Sequence, residues 1–138
     1  MPHQTHNPDD APAPIGGYAQ GLEVRPNARY LFISGQIPES VGAEVPDGFE
    51  AQCRLVWRNI EAVLRSAGME LSDLVQVRTY LTHPDQVEAN SRIRQEVLSG
   101  VQPALTVIMA QTLESQWLLE IEAVAAQNME RRSYRLTG

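Results

Sequence analysis

The sequence predicts an α+β fold in which two helices cover one face of a single sheet. Three observations predict it. Apolar residues recur at spacings of three and four over residues 49–67 and more thinly over 84–98, the period of helices with one buried stripe. Residues 29–34, 74–82 and 103–125 alternate or run apolar with the period of strands. The elements then fall in the order strand, strand, helix, strand, helix, strand, strand, and two helices cover only one side of such a sheet. The bare side carries apolar residues, which self-association would hide.

At 138 residues the chain has single-domain length, taken here as 11–127 between a flexible arm at 1–10 and a tail at 128–138. Four of the nine prolines lie in the first 14 residues, where little else packs, so an extended or mobile arm is expected. His3 and His6 stand three apart without a third ligand and read as solvated arm, not as a metal site. No apolar run approaches the ~20 residues of a membrane span. The N-terminus lacks the basic and apolar parts of a secretory signal, and a lone cysteine forms no internal disulfide; both fit the cytoplasm. A net charge of −6 argues against nucleic acid as main partner. Arg131, Arg132 and Arg135 read as a solvated end.

Gly16 and Gly17 free the backbone ahead of a short edge-like strand over 18–24, and 25–28 form a turn. The strand 29–34 stops at Gly35-Gln36-Ile37-Pro38, which exposes backbone polar groups around Ser34 to Gln36. Asp47 with Glu50 has the form of a helix start. The stripe that follows is Phe49, Cys53, Val56, Ile60, Val63, Leu64 and Ala67, with Gly68 placed to end the helix left-handed. Cys53 lies on that stripe as core filler. Over 74–82, Val75, Val77, Thr79 and Leu81 alternate with Gln76, Arg78, Tyr80 and Thr82. Pro84 suits a first helical turn after His83, and Val87, Ile93, Val97 and Leu98 form the second stripe. Asn90 falls on that stripe, so a hydrogen bond to a neighbouring loop is expected of it.

Residues 103–125 read as a hairpin of two apolar strands joined by a polar loop. In the second strand Trp117, Leu119, Ile121, Ala123 and Ala125 share one side, and Leu118, Glu120, Glu122 and Val124 the other. Two carboxylates roughly 7 Å apart on a greasy strand call for a reason. Glu122 can pair with Arg78 or another base across the sheet.

Four segments, in order, resemble the reactive-intermediate deaminase family (Rid or YjgF, formerly endoribonuclease L-PSP): Ala-Pro-Ala-Pro-Ile-Gly-Gly-Tyr-Ala-Gln-Gly at 11–21, Ile-Ser-Gly-Gln-Ile-Pro at 33–38, Ala-Gly at 67–68 and Leu-Leu-Glu-Ile-Glu-Ala-Val-Ala at 118–125. The resemblance implies a chorismate-mutase-like two-layer fold, with one mixed sheet under two helices, assembling as a homotrimer with a small-molecule cleft at each subunit interface. It implies no cofactor. Carried over by position, the cleft residues are Tyr18, Ser34, Gly35 and Asn90 for the substrate and Glu120 as acid–base. The family's substrate-gripping arginine, two residues after a proline, falls on Leu105.

An arginine fork gives a carboxylate charge-assisted, bidentate hydrogen bonds, and leucine gives none. Leu105 therefore argues against standard 2-aminoacrylate deamination and toward a neutral or more apolar ligand. An unneutralised Glu120 should have a raised pKa. Two readings follow: a cofactor-independent hydrolase of a C–N bond in a small reactive molecule, or a binding or sensing module that kept the cleft without the chemistry. The older ribonuclease and translation-inhibitor label finds no basic patch to support it.

Overall fold

The computed structural model describes residues 3–42 and 44–129. Its elements are β1 (His3–His6), β2 (Gly21–Val24), β3 (Ala28–Gln36), α1 (Phe49–Ser66), β4 (Leu74–Leu81), α2 (Val87–Leu98), β5 (Ala104–Met109) and β6 (Leu119–Asn128). Four strands form the mixed main sheet in the order β3-β6-β4-β5, with β6 antiparallel to both its neighbours and β4 parallel to β5. The two helices lie on one face, giving the two-layer α+β architecture expected.

Alternation decides which side chains go under the helices. Val77, Thr79 and Leu81 of β4, with Leu119, Ile121, Ala123 and Ala125 of β6, are all buried. The apolar members of both sets join Cys53, Val56, Ile60 and Leu64 of α1 and Ile93 and Leu98 of α2 in the core. Trp57, absent from the expected stripe, is buried at its centre. Val87, assigned to the second stripe, is exposed, because α2 begins only there, after a separate turn over Pro84–Gln86. Gly48, not Asp47, occupies the position before α1, and no side chain caps it. Gly68 does end the helix with φ of +68°.

The hairpin is corrected. β5 and β6 are not neighbours; β4 lies between them, and residues 110–118 arch over its end. Apolar run and polar loop identify two strands but not their pairing, which the central position of β4 decides. The arm is extended, one of the two alternatives expected, and His3–His6 adds a pairing that was not anticipated, antiparallel with Gly21–Val24 in a separate two-stranded sheet. A bond from His6 Nε2 to Glu23 (2.9 Å) and one from Arg25 to Gln4 (2.8 Å) tie the two strands together. The arginines of the C-terminal tail lie outside the described residues.

Candidate functional site

The open face of the sheet is read row by row from the strand register. One row is Phe32, Val124, Gln76 and Ala104; the next holds Glu122, Arg78 and Thr106; the third holds Glu120, Tyr80 and Ile108. The first row is greasy at its β3 end, where the rings of Tyr30 and Phe32 stack with centroids 6.3 Å apart and both stand exposed. The other two rows concentrate the polar chemistry.

Within those rows the two glutamates have separate surroundings. The Tyr80 hydroxyl donates to Glu122 Oε1, and Arg78 Nη1 approaches the same oxygen at 3.8 Å. The Arg78 pairing anticipated for Glu122 is therefore present, with a tyrosine added. Glu120 has no hydrogen-bond or ion-pair partner among the described residues. Partial burial raises its pKa, and the charge on Glu122 raises it further. The bond to Glu122 in turn raises the pKa of Tyr80, with burial adding to it.

Glu120 lies against Gly35. Between Ile33 and Gln36 the register of β3 against β6 slips, so that three steps on β3 oppose two on β6, a bulge centred on Ser34 and Gly35. The bulge brings the Gly35 backbone so close that an added Cβ would sit 2.0 Å from Glu120 Oε2 and 2.8 Å from its carboxyl carbon. Any larger residue here would have to displace the Glu120 carboxylate; the constraint is space and not backbone conformation, since Gly35 is not among the glycines with positive φ. Gly35, Tyr80, Ala110, Gln111, Thr112, Leu113, Glu120 and Glu122 line a pocket of about 280 Å³.

The far wall of this pocket is the arch over 110–118, held by side chains. Gln52, buried on α1, donates from Nε2 to the carbonyls of Pro46 and Gln116 (both 3.0 Å) and accepts from Leu118 N–H at 2.9 Å. The Thr82 hydroxyl donates to Leu118 O at 2.9 Å, and Trp117 Nε1 donates to Glu39 at 3.0 Å. Leu113, at the tip of the arch, is 90% exposed.

The carried-over residues divide into two groups. Gly35 and Glu120 meet in the pocket, with the exposed Ser34 in the same bulge. Tyr18, Asn90 and Leu105 belong to another corner, around the start of β5 and the side of α2. Leu105 pairs with Val77 and packs from the helix side, on the face opposite Glu120. Ala19, next to Tyr18, donates its N–H to Pro103 O at 3.1 Å and bridges to Ala104. Asn90 is buried as expected, but its Oδ1 has no partner. The loop contact expected of it is made one turn later by Arg94, which donates to Gly16 O at 2.7 Å. Tyr80 and the arch residues were missed as site residues. The alternation of 74–82 already placed Tyr80 on the polar side, and only its register opposite Glu120 was lacking.

Cys53 is buried, with its thiol pushed up to about 12, and serves as core filler. Among the described residues no group of three or more His, Cys, Asp or Glu could hold a metal ion. No described helix is long and apolar enough to cross a membrane.

A family model described as endoribonuclease L-PSP matches residues 8–127. A RutC family protein of Pyrococcus horikoshii is 34% identical over 119 residues, covering 85% of this chain and 92% of its own length. The crystal structure of a Rid family protein of unknown function from Yersinia pestis superposes with a TM-score of 0.83 at 29% identity, over 92% of this chain and 100% of that one. The structure of E. coli TdcF with bound serine superposes with a TM-score of 0.68 at 26% identity, over 91% of this chain and 99% of that one.

Proposed function

This chain belongs to the endoribonuclease L-PSP family, the Rid proteins, and from that premise we propose that it hydrolyses a C–N bond in a small reactive metabolite, with Glu120 as acid–base. The observation that carries the reading is the Glu120 carboxylate: unpaired, raised in pKa and seated against Gly35 at the wall of a pocket. A raised pKa makes the carboxylate a stronger base, better able to accept a proton and return it. For an imine, Glu120 takes a proton from water as the oxygen bonds to the imine carbon. The proton is returned to nitrogen to give a carbinolamine; Glu120 then takes the hydroxyl proton and passes it to nitrogen as the C–N bond breaks, and a carbonyl compound and an amine leave.

The cleft we propose is completed by neighbouring copies in a homotrimer. The separation of the carried-over residues supports this: Gly35 and Glu120 on the open face of one protomer would meet the Tyr18, Asn90 and Leu105 corner of the next. Burial of the exposed Tyr30 and Phe32 on the same face supports association. A cytoplasmic location fits the single cysteine.

With Leu105 where an arginine would grip a carboxylate, amino-acid imines are poor substrates. Serine, bound in the E. coli relative, carries such a carboxylate. We expect little turnover of 2-aminoacrylate generated in situ by the wild-type protein, and a gain on Leu105→Arg. Wild-type turnover at the rate of active relatives would overturn this reading of Leu105. The same leucine favours a second reading, a ligand-binding or sensing module, which ligand-induced thermal shifts without product formation would support.

A further inference from the structure

The charges around the pocket do not balance. Glu120 and Glu122 both line it, and no lysine, arginine or histidine does. The nearest base, Arg78, stands beside them in the sheet but is directed to Glu122, and the one proton of Tyr80 goes to the same carboxylate. Glu122 is thereby satisfied and Glu120 is left with a charge and no counter-ion. Arg94, in the corner that holds Tyr18, is 3% exposed and donates from Nη2 to the Gly16 carbonyl, with its buried Nε unpaired, so burial keeps it from direct contact with a ligand. The remaining walls are apolar or neutral: Ala110, Leu113, the ring of Tyr80, Gln111 and Thr112.

A ligand that enters this pocket meets one uncompensated negative charge beside an aliphatic wall. A carboxylate there is repelled and left undonated, while a cation gains an ion pair in a partly desolvated cleft. At about 280 Å³ the space suits a molecule of a few carbon atoms.

Resting on the family cleft proposed above, we propose that the pocket selects small aliphatic cations, protonated amines or imines without a carboxylate, with Glu120 as counter-ion and the Ala110–Leu113 wall holding the hydrocarbon. The charge that attracts the ligand is then the same group that moves the proton, so attraction and chemistry are served by one side chain. Selectivity comes from what Arg78 does not do: by holding Glu122 it settles one carboxylate and leaves the other for the ligand.

Calorimetric titration of the protein at low ionic strength tests this with three compounds that share a five-membered ring: pyrrolidine, tetrahydrofuran and proline, with prolinamide as the size control for the carboxylate. Pyrrolidine, cationic at neutral pH, should bind at least about tenfold more tightly than the neutral ether or the carboxylate-bearing proline. Glu120→Gln should remove that advantage, and added sodium chloride should weaken pyrrolidine alone in the wild-type protein, which requires no variant to fold. Proline binding as tightly as pyrrolidine, and lost in Glu120→Gln, would overturn the charge selection and leave the cleft standing. Absence of binding by all three, or binding indifferent to Glu120→Gln and to salt, would overturn the charge selection and the cleft together.

Discussion

The two faces of β6 differ more than any two regions of the molecule, although they are woven from alternate residues of one strand. Leu119, Ile121, Ala123 and Ala125 point under the helices and are buried without exception. Glu120, Glu122 and Val124 point the other way and stay half-buried. A period of two thus separates two kinds of contribution. Each large apolar side chain on the helix side contributes about 1.5–3 kcal/mol by leaving water. On the open side, little stability is at stake, and the unpaired carboxylate is the proposed acid–base.

The largest expected effect comes from crossing that boundary by one residue. Ile121→Ala, on the helix side, should cost about 2–5 kcal/mol in urea denaturation, because it deletes buried methylenes and leaves a cavity. Glu120→Gln should change stability by less than about 0.5 kcal/mol, as a half-exposed carboxylate with no partner, yet lower hydrolysis about 10²–10⁴-fold. A Glu120→Gln protein as unstable as Ile121→Ala would break the comparison, since the open face would then be structural too.

A smaller effect tests the bulge that brings β3 against Glu120. Gly35→Ala puts a Cβ where the carboxylate lies, 2.0 Å from Oε2, without backbone strain. The flexible carboxylate can swing aside, so the expected loss is mainly functional, with at most about 1–3 kcal/mol of overpacking in denaturation. Measured again in a Glu120→Ala background, the overpacking should vanish, a coupling of about 0.5–3 kcal/mol in a double-mutant cycle. Additive costs would mean that Gly35 serves the strand and not the site.

These tests bear on what could be read in the chain. The alternation of Val77, Thr79 and Leu81 with Arg78 and Tyr80, and of Ile121 with Glu120, was legible because burial on one face imposes a period of two. The β5–β6 pairing was not, since two apolar strands with a polar loop look alike whether adjacent or separated by β4. Trp57, four after Cys53 and three before Ile60, has the spacing of the stripe and was legible there, whereas Gln52 escaped because a polar side chain at such a spacing is buried only where partners exist, here Pro46 and the arch over 110–118. Of the candidate site, Glu120 was singled out by alternation as one of two carboxylates on an apolar strand, and the family resemblance added Gly35 and a role for Glu120. Their contact depends on a register slip that no local pattern encodes. Tyr80 required the same register, and the placement of Tyr18, Asn90 and Leu105 in a separate corner required the whole topology.

The smallest expected effect is also the most specific to Glu120. Its folded-state pKa is raised above the ordinary 4.5, by burial first and by Glu122 second. A carboxyl with a raised folded pKa favours the native state while protonated; that contribution is complete below the unfolded value and is lost as pH rises through the folded one. The thermal midpoint of the wild-type protein, taken relative to Glu120→Gln, should therefore be highest in acid and decline as pH climbs past 4.5, levelling once Glu120 is ionised. Hydrolysis should run the other way, rising as the base form appears. A stability slope of opposite sign would mean that Glu120 is paired with a base in solution; among the described residues none of the same chain is paired with it, so a neighbouring copy is the source to test. That outcome would sharpen the contrast between the faces by showing that the open one is finished by association, as the helix-covered one is finished by folding.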